Sequence, residues 1–215
     1  MTPDVDLIIC LASGFGTKVY VRSGIRQLYR YCRGYATATT EIIYDEYNGG
    51  WAGTARRLHQ VATHDTKCVF IAHSWGCGVA FRQFSKAWIK LGRIVDLAIL
   101  IDPVPRPFKI LIPLNVFAMT HWGKFRVKSV REVLAFHQFN DRPCGHQIVN
   151  NMQATIVQKA FSSQATLDKY APWSVGEFRI EDDLIKHNTI DDDPRVHGDI
   201  KDLLDSKIEA WRHGR

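Results

Sequence analysis

Ser74 lies in the segment Ala72-His73-Ser74-Trp75-Gly76, directly after the apolar run CVFIA. A continuous run of this kind is typical of a buried strand, and the residues after Gly76 have the periodicity of a helix. A serine on so short a turn is held with its hydroxyl exposed and the start of the helix beneath it. The pattern predicts that Ser74 is a nucleophile, and the alternative is an ordinary turn serine.

Crowding where the strand packs on the helix demands small residues two positions before and two positions after the serine. Here these positions hold Ala72 and Gly76. The A-H-S-x-G arrangement at a strand-to-helix junction resembles the α/β-hydrolase family of lipases, esterases and thioesterases, in which G-x-S-x-G is the usual form. The resemblance implies a serine hydrolase that needs neither cofactor nor metal, with nucleophile, acid and histidine in that order along the chain.

His187 lies where the resemblance places the base, in a loop after the last predicted strand. A serine hydroxyl is a weak nucleophile near neutral pH unless an imidazole takes its proton. The loop leads to a helix that Asp193 is expected to cap and Pro194 to open. We predict His187 as the base, with a surface histidine as the alternative. His197 lies inside that helix, and His73 should point away from Ser74, so we assign both to packing and hydrogen bonding.

Two aspartates are candidates for the acid of such a triad. Asp102 ends the strand that follows the predicted nucleophile helix, and LAILIDPVP resembles the L-D-P of lipases whose acid stands there. Asp141 ends the next long strand in AFHQFNDRP, the position used by most of the family. We favour Asp102 and keep Asp141 open. Either residue is otherwise a turn aspartate.

The oxyanion of an acyl-transfer intermediate needs two main-chain N–H donors. One should be the amide of Trp75, next to the nucleophile. The segment Ser13-Gly14-Phe15-Gly16 resembles the family's H-G-x-G with serine in place of histidine, which makes the Phe15 amide the second candidate and Gly14 the residue that lets the backbone approach. The glycines also fit an ordinary turn. The segment lacks the second half of either nucleotide-binding fingerprint.

The elements that must position these residues alternate between apolar, strand-prone runs and amphipathic helical segments. This alternation predicts an α/β-hydrolase-like three-layer sandwich, with a mostly parallel sheet and helices on both faces. We predict strands over residues 6–12, 41–46, 67–72, 95–101, 130–139 and 177–185, and helices over residues 21–34, 51–63, 76–91 and 194–211. The stretch from 140 to about 172 has no clear pattern.

No linker divides the 215 residues, so a single domain is expected. The apolar segment 103–124 is predicted as a cap or lid, or else as a buried crossing segment without a ligand role. A metal site built from His187, Asp191, Asp192, Asp193 and His197 is a weak alternative, because Asp193 and Pro194 are better explained as a helix start.

The chain has 46% hydrophobic residues and a net charge of +6, and its basic residues are dispersed, which gives no reason to expect nucleic acid as a partner. Four arginines at helical spacing could form one face that binds an anion or contacts lipid peripherally, or could simply be solvated: Arg22, Arg26, Arg30 and Arg33. Five cysteines without a pairing pattern, and a first segment without a secretory signal, favour the cytoplasm.

We therefore expect an enzyme that cleaves a carboxylic ester or thioester of a small acyl substrate through an acyl-enzyme, using Ser74, Asp102 and His187. The alternatives are a peptide or amide hydrolase with the same triad, and a non-catalytic binding protein that uses the arginine face. Acyl length, leaving group and oligomeric state have no signature in the sequence.

Overall fold

A computed structural model describes residues 5–14, 23–45, 49–104, 124–141, 145–150, 154–162, 166, 179–180 and 182–214 of the chain. In chain order the strands are β1 (Val5–Ala12), β2 (Thr40–Asp45), β3 (Ala62–His73), β4 (Val95–Ile101), β5 (Lys124–Val127), β6 (Val130–Gln138), β7 (Gln147–Asn150), β8 (Thr155–Phe161) and β9 (Arg179–Ile180). The helices are α1 (Gly24–Cys32), α2 (Trp51–His59), α3 (Gly76–Lys90) and α4 (Pro194–His213). The first turns of α3, Gly76–Phe81, are π-helical.

Seven strands form one parallel sheet in the order β2-β1-β3-β4-β6-β8-β9, and β5 and β7 pair with each other in a second parallel sheet. Strand β1 lies between β2 and β3. On the β3 side, β4, β6, β8 and β9 follow one another in chain order. Strands β1 and β4 are almost wholly buried, as expected for parallel strands covered on both faces. The carboxyl ends of β1, β3, β4 and β6 therefore meet at one edge of the sheet.

Apolar side chains alternate between the two faces of this sheet and build two separate cores. Helices α2 and α3 pack on one face, with Trp51, Phe70 and Phe84 at the centre of that core. Helices α1 and α4 cover the other face through residues such as Leu28 and Leu204. The structure thus confirms the predicted α/β class, with a parallel central sheet and helices on both faces.

Most predicted elements are present among the described residues, but several boundaries differ, and the strands β5, β7 and β8 were not predicted. Helix α2 ends at His59 rather than at 63, and β3 begins as early as Ala62, because Ala62 pairs with Val5 of β1. The stretch described as unpatterned contains both β7 and β8. The side chains of β8 are largely half-buried, so its sequence lacks the apolar run of an inner strand. Of the predicted strand 177–185, only Arg179–Ile180 is described as a strand, and residues 182–185 are not one.

The start of α4 follows the prediction. The Asp193 side chain accepts a hydrogen bond from the N–H of Arg195, and Pro194 occupies the first helical position. The predicted cap segment falls almost entirely on residues 105–123, which lie outside the described residues. No helix in the described part of the chain is long and apolar enough to cross a membrane.

Candidate active site

Ser74 occupies a sharp turn between β3 and α3. Its φ is +53°, in the left-handed region that costs energy for any residue with a Cβ. The Ser74 N–H donates to the carbonyl of Ile101, and its own carbonyl accepts from the N–H of Cys77. These contacts hold the strained turn in place on the neighbouring strand and on the helix that follows. The hydroxyl is thus fixed at the carboxyl edge of the sheet.

Glycines make room for this turn on the side of β1. A Cβ at Gly76 would lie 2.6 Å from the carbonyl oxygen of Ala12 and 2.7 Å from that of Ser13. A Cβ at Gly14 would lie 2.9 Å from the Cβ of Ser74. The end of β1 therefore passes directly beside the serine. Phe15, the predicted oxyanion donor of this loop, lies outside the described residues.

Ser74, His187 and Asp102 form one chain of contacts although they are far apart in sequence. The Ser74 Oγ lies 2.6 Å from Nε2 of His187, and Nδ1 of the same ring lies 2.5 Å from Oδ2 of Asp102. Because a carboxylate accepts at Nδ1, that nitrogen carries the proton and Nε2 is left to accept from the serine hydroxyl. All three residues are buried, with exposures of 5%, 5% and 0%.

Asp102 is surrounded by donors. Its Oδ1 accepts from the main-chain N–H groups of Gln138, at 3.2 Å, and Gly145, at 2.5 Å. Its Oδ2 accepts from the side-chain amide of Gln138 at 3.0 Å, in addition to His187. Burial by itself would raise the pKa of Asp102, but the hydrogen bonds from His187 and Gln138 outweigh it and hold the pKa below its ordinary value. The carboxyl is therefore charged at neutral pH.

Asp141, the other candidate acid, does not contact the imidazole through any hydrogen bond among the described residues. Its Oδ1 accepts from the main-chain N–H of His187 at 2.9 Å. Burial raises the pKa of Asp141 above its ordinary value, partly offset by that hydrogen bond. The two aspartates thus hold different parts of the same histidine. Asp102 contacts the ring and Asp141 the backbone.

His73 makes hydrogen bonds within the site, in line with its predicted role. Its Nε2 donates to the carbonyl of His187 at 2.9 Å, and its Nδ1 lies 3.6 Å from Oδ2 of Asp191. Burial lowers the pKa of His73, and the nearby Asp191 carboxylate only partly opposes this. A neutral ring at this position adds no positive charge beside His187, whose ring centre is 5.1 Å away.

The remaining predicted residues are Trp75 and the arginine face. Trp75, half-buried, directly precedes the π-helical turns of α3. Of the arginine face, Arg30 and Arg33 are exposed, Arg26 is half-buried, and Arg22 lies outside the described residues. Within the described ranges, no three His, Cys, Asp or Glu side chains are grouped so that they could hold a metal ion.

Three residues that sequence reasoning missed complete the surroundings of Asp102 and His187. Gln138 is fully buried at the end of β6. A polar residue at the end of an apolar strand is the sequence feature that could have indicated a site residue here. Gly145 lies so close to Asp102 that a Cβ would overlap the carboxylate and the ring of His137. Asn140 contacts the loop before His187. Nothing in the sequence identifies the partners of Gly145 or Asn140, because those partners are distant in the chain.

In this arrangement the Ser74 hydroxyl can transfer its proton to the His187 imidazole. The buried Asp102 carboxylate orients that ring and stabilises the ring once it is charged. The sequence of this chain matches no protein-family model and no curated protein.

Proposed function

We propose that the protein is a serine hydrolase of the α/β-hydrolase type that cleaves carboxylic esters or thioesters through an acyl-enzyme. The observation that carries the proposal is the continuous contact from Ser74 Oγ through the His187 ring to Asp102. The left-handed Ser74 turn at the carboxyl edge of a parallel sheet supports it further, because that turn has the geometry of a nucleophile elbow.

In the first half-reaction the Ser74 Oγ attacks the carbonyl carbon, and its proton moves to Nε2 of His187. The carbonyl oxygen becomes an oxyanion, and the imidazolium is stabilised by the charged Asp102. The bond between the carbonyl carbon and the alcohol or thiol then breaks. The leaving group takes the proton from His187, and the acyl group stays on Ser74.

In the second half-reaction a water molecule replaces the leaving group. His187 removes a proton from the water as the oxygen attacks the acyl carbon, and returns it to Ser74 Oγ as that bond breaks. The products are a carboxylic acid and the free enzyme. Neither half-reaction requires a cofactor.

The oxyanion needs donors on the side of the serine turned towards the end of β1. The Trp75 amide is one candidate, since it follows the nucleophile at the start of α3. Gly14 also approaches Ser74 closely, and the amide of Phe15, the next residue in the sequence, is the second candidate. Each such donor contributes about 3 kcal/mol to lowering the barrier.

Steady-state hydrolysis of p-nitrophenyl esters from acetate to palmitate, measured for the natural sequence and for Ser74→Ala, tests the proposal. We expect turnover that Ser74→Ala abolishes and a chain-length optimum that reports the size of the acyl site. Labelling of the natural sequence, but not of Ser74→Ala, by a fluorophosphonate probe would identify the nucleophile directly. Thioester and anilide substrates with the same acyl group then separate thioesterase from amidase activity.

Labelling at Ser74 without turnover on any ester would favour the amide or peptide hydrolase. The absence of both labelling and turnover would contradict the proposed function. The basic face around Arg30 and Arg33 would then be tested for binding to anionic lipid vesicles, with vesicles of neutral lipid as the control.

A further inference from the structure

The backbone of His187 is fastened by residues that lie outside the triad. The Asp141 carboxylate accepts its N–H at 2.9 Å, and this contact joins the end of β6 to the loop that carries the histidine. The residue adjacent to Asp141 strengthens the same junction. The side-chain amide of Asn140 lies 2.7 Å from the carbonyl of Asp182 and 2.8 Å from that of Ile185. Two neighbouring side chains thus hold both the loop and its histidine.

The junction is tied to β8 as well. The Asn140 amide nitrogen lies 3.1 Å from the carbonyl of Phe161, and its Oδ1 accepts from the Ser162 hydroxyl at 2.8 Å. Ser162 in turn accepts from the N–H of Phe139. The Asn140–Asp141 pair is therefore anchored on two adjacent strands of the central sheet, which makes it a fixed point for the loop.

Gln138 connects this junction to the triad acid. Its Oε1 accepts from the N–H groups of Asn140 and Asp141, at 2.9 and 3.0 Å. Its Nε2 donates to Oδ2 of Asp102, the oxygen that also contacts the His187 ring. One buried side chain thus links the Asp102 carboxylate to the main chain of Asp141. The groups that hold the ring and the backbone of His187 thus lie at the ends of the adjacent strands β4 and β6, and Gln138 links them.

We infer that Asp141 is a positioning residue: it holds the His187 backbone so that Nε2 stays within reach of Ser74 Oγ. The inference rests on the proposed function. A displacement of about 1 Å in a catalytic group can lower a rate about 100-fold. The contact of Asp102 with the ring leaves the main chain of the loop to be fixed by other groups. At His187 itself, Asp141 accepts the N–H and His73 donates to the carbonyl, so Asp141 supplies the restraint on the N–H side.

A residue that positions His187 needs only a hydrogen-bond acceptor, whereas the triad acid also needs a negative charge. An amide oxygen accepts an N–H as a carboxylate does, so Asn can replace Asp141 in its contact with His187. The triad acid must be charged and must accept at Nδ1, and its replacement by Asn costs on the order of 10⁴-fold in kcat. Asp→Asn and Asp→Ala changes at the two positions therefore separate the roles.

The experiment compares Asp141→Ala, Asp141→Asn and Asp102→Asn in ester hydrolysis, with Asp65→Ala as the matched control, because Asp65 is exposed and far along β3. We expect Asp141→Ala to lower kcat about 10- to 100-fold with little change in KM. We expect Asp141→Asn to stay within about threefold of the natural sequence and Asp102→Asn to lose nearly all activity. Thermal unfolding of each variant verifies that it is folded.

Full activity of Asp141→Ala would overturn the inference. Equal losses of kcat in Asp141→Asn and Asp141→Ala would overturn it as well. If Asp102→Asn lowers kcat only slightly while Asp141→Asn lowers it severely, Asp141 is the acid. If Asp141→Ala does not fold, Asp141→Glu keeps the charge and moves the acceptor by one methylene. It is expected to reproduce the fall in kcat.

A second readout does not depend on turnover. The proton between His187 Nδ1 and Asp102 gives a downfield proton NMR resonance in a buried His–Asp pair. We expect it to persist in Asp141→Asn and to broaden or vanish in Asp141→Ala, because the ring loses its fixed position. If the natural sequence shows neither probe labelling nor turnover, the proposed function fails, while this comparison still decides whether Asp141 positions His187. An unchanged resonance in Asp141→Ala would contradict the inference.

Discussion

Gly76 of α3 packs directly on the main-chain carbonyl of Ala12, at the end of β1. A Cβ at position 76 would come within 2.6 Å of that oxygen, a distance that side-chain carbons do not adopt. The small residue two positions after the serine is thus required by the strand beside it.

We predict that Gly76→Ala lowers the free energy of unfolding by about 1–3 kcal/mol, because the helix must move away from β1 to admit the methyl group. Urea unfolding measures the change. Gly53→Ala is the control, since a Cβ at that position in α2 would meet no described atom within 4 Å apart from its chain neighbours and its own helix backbone. Alanine is expected to stabilise that helix by up to about 1 kcal/mol. Equal effects of the two changes would contradict the packing argument.

The parts of the site that the sequence predicts are those encoded within a few residues. The Ser74 turn and the cap of α4 each have a local pattern, and the structure has the turn and the cap where those patterns predict them. The resemblance of LAILIDPVP to the L-D-P of lipases favours Asp102, and Asp102 is the aspartate that contacts the His187 ring. The backbone contact of Asp141 was not foreseen, because a pattern of strand ends does not say which atom a carboxylate meets.

The missed strands have a different physical cause. Hydrophobic patterning detects strands that are buried on both faces, such as β4, but the half-buried side chains of β8 mix polar and apolar types. The π-helical start of α3 has no sequence signature either, since it arises where the helix meets the Ser74 turn.

His73 should stabilise the histidine loop through its hydrogen bond to the His187 carbonyl. We predict that His73→Leu lowers the free energy of unfolding by about 1–3 kcal/mol, because it leaves a buried carbonyl without its donor. His73→Gln retains an N–H donor and should lose less. Urea unfolding of the two variants gives the comparison. A leucine variant as stable as the glutamine variant would show that the bond contributes nothing.

His137 should make the protein less stable at acid pH. It is fully buried, and burial lowers its pKa from 6.5 to about 4. Below pH 6.5 the unfolded chain binds a proton at this residue while the folded protein does not, so protonation favours unfolding until the pH approaches 4. We expect a loss of roughly 3 kcal/mol over this range from His137, taking about 1.4 kcal/mol for each pKa unit.

The measurement is urea unfolding between pH 7.5 and 4.5 for the natural sequence and for His137→Gln. The difference in unfolding free energy between the two should shrink as the pH falls, because only the natural sequence has the titrating ring. The exposed His64, changed to Gln, controls for the removal of one histidine. Parallel stability curves for the natural sequence and His137→Gln would contradict the pKa shift.

The described cysteines should be unreactive in the folded protein. Cys10, Cys32, Cys68 and Cys77 are buried, and burial raises the pKa of each, that of Cys32 to about 12. Disulfide reagents require an accessible thiolate. Because Cys144 lies outside the described residues, the test uses Cys144→Ser. We expect no reaction with Ellman's reagent in native buffer and four thiols in urea.

The positions of these thiols make the count a test of both cores. Cys32 belongs to the core under α1 and α4, and the other three belong to the core under α2 and α3. One rapidly reacting thiol in the native Cys144→Ser protein would mean that a layer is open to solvent. Adding Cys32→Ser identifies the layer: loss of the reaction would place the opening under α1 and α4, and its persistence would place it under α2 and α3.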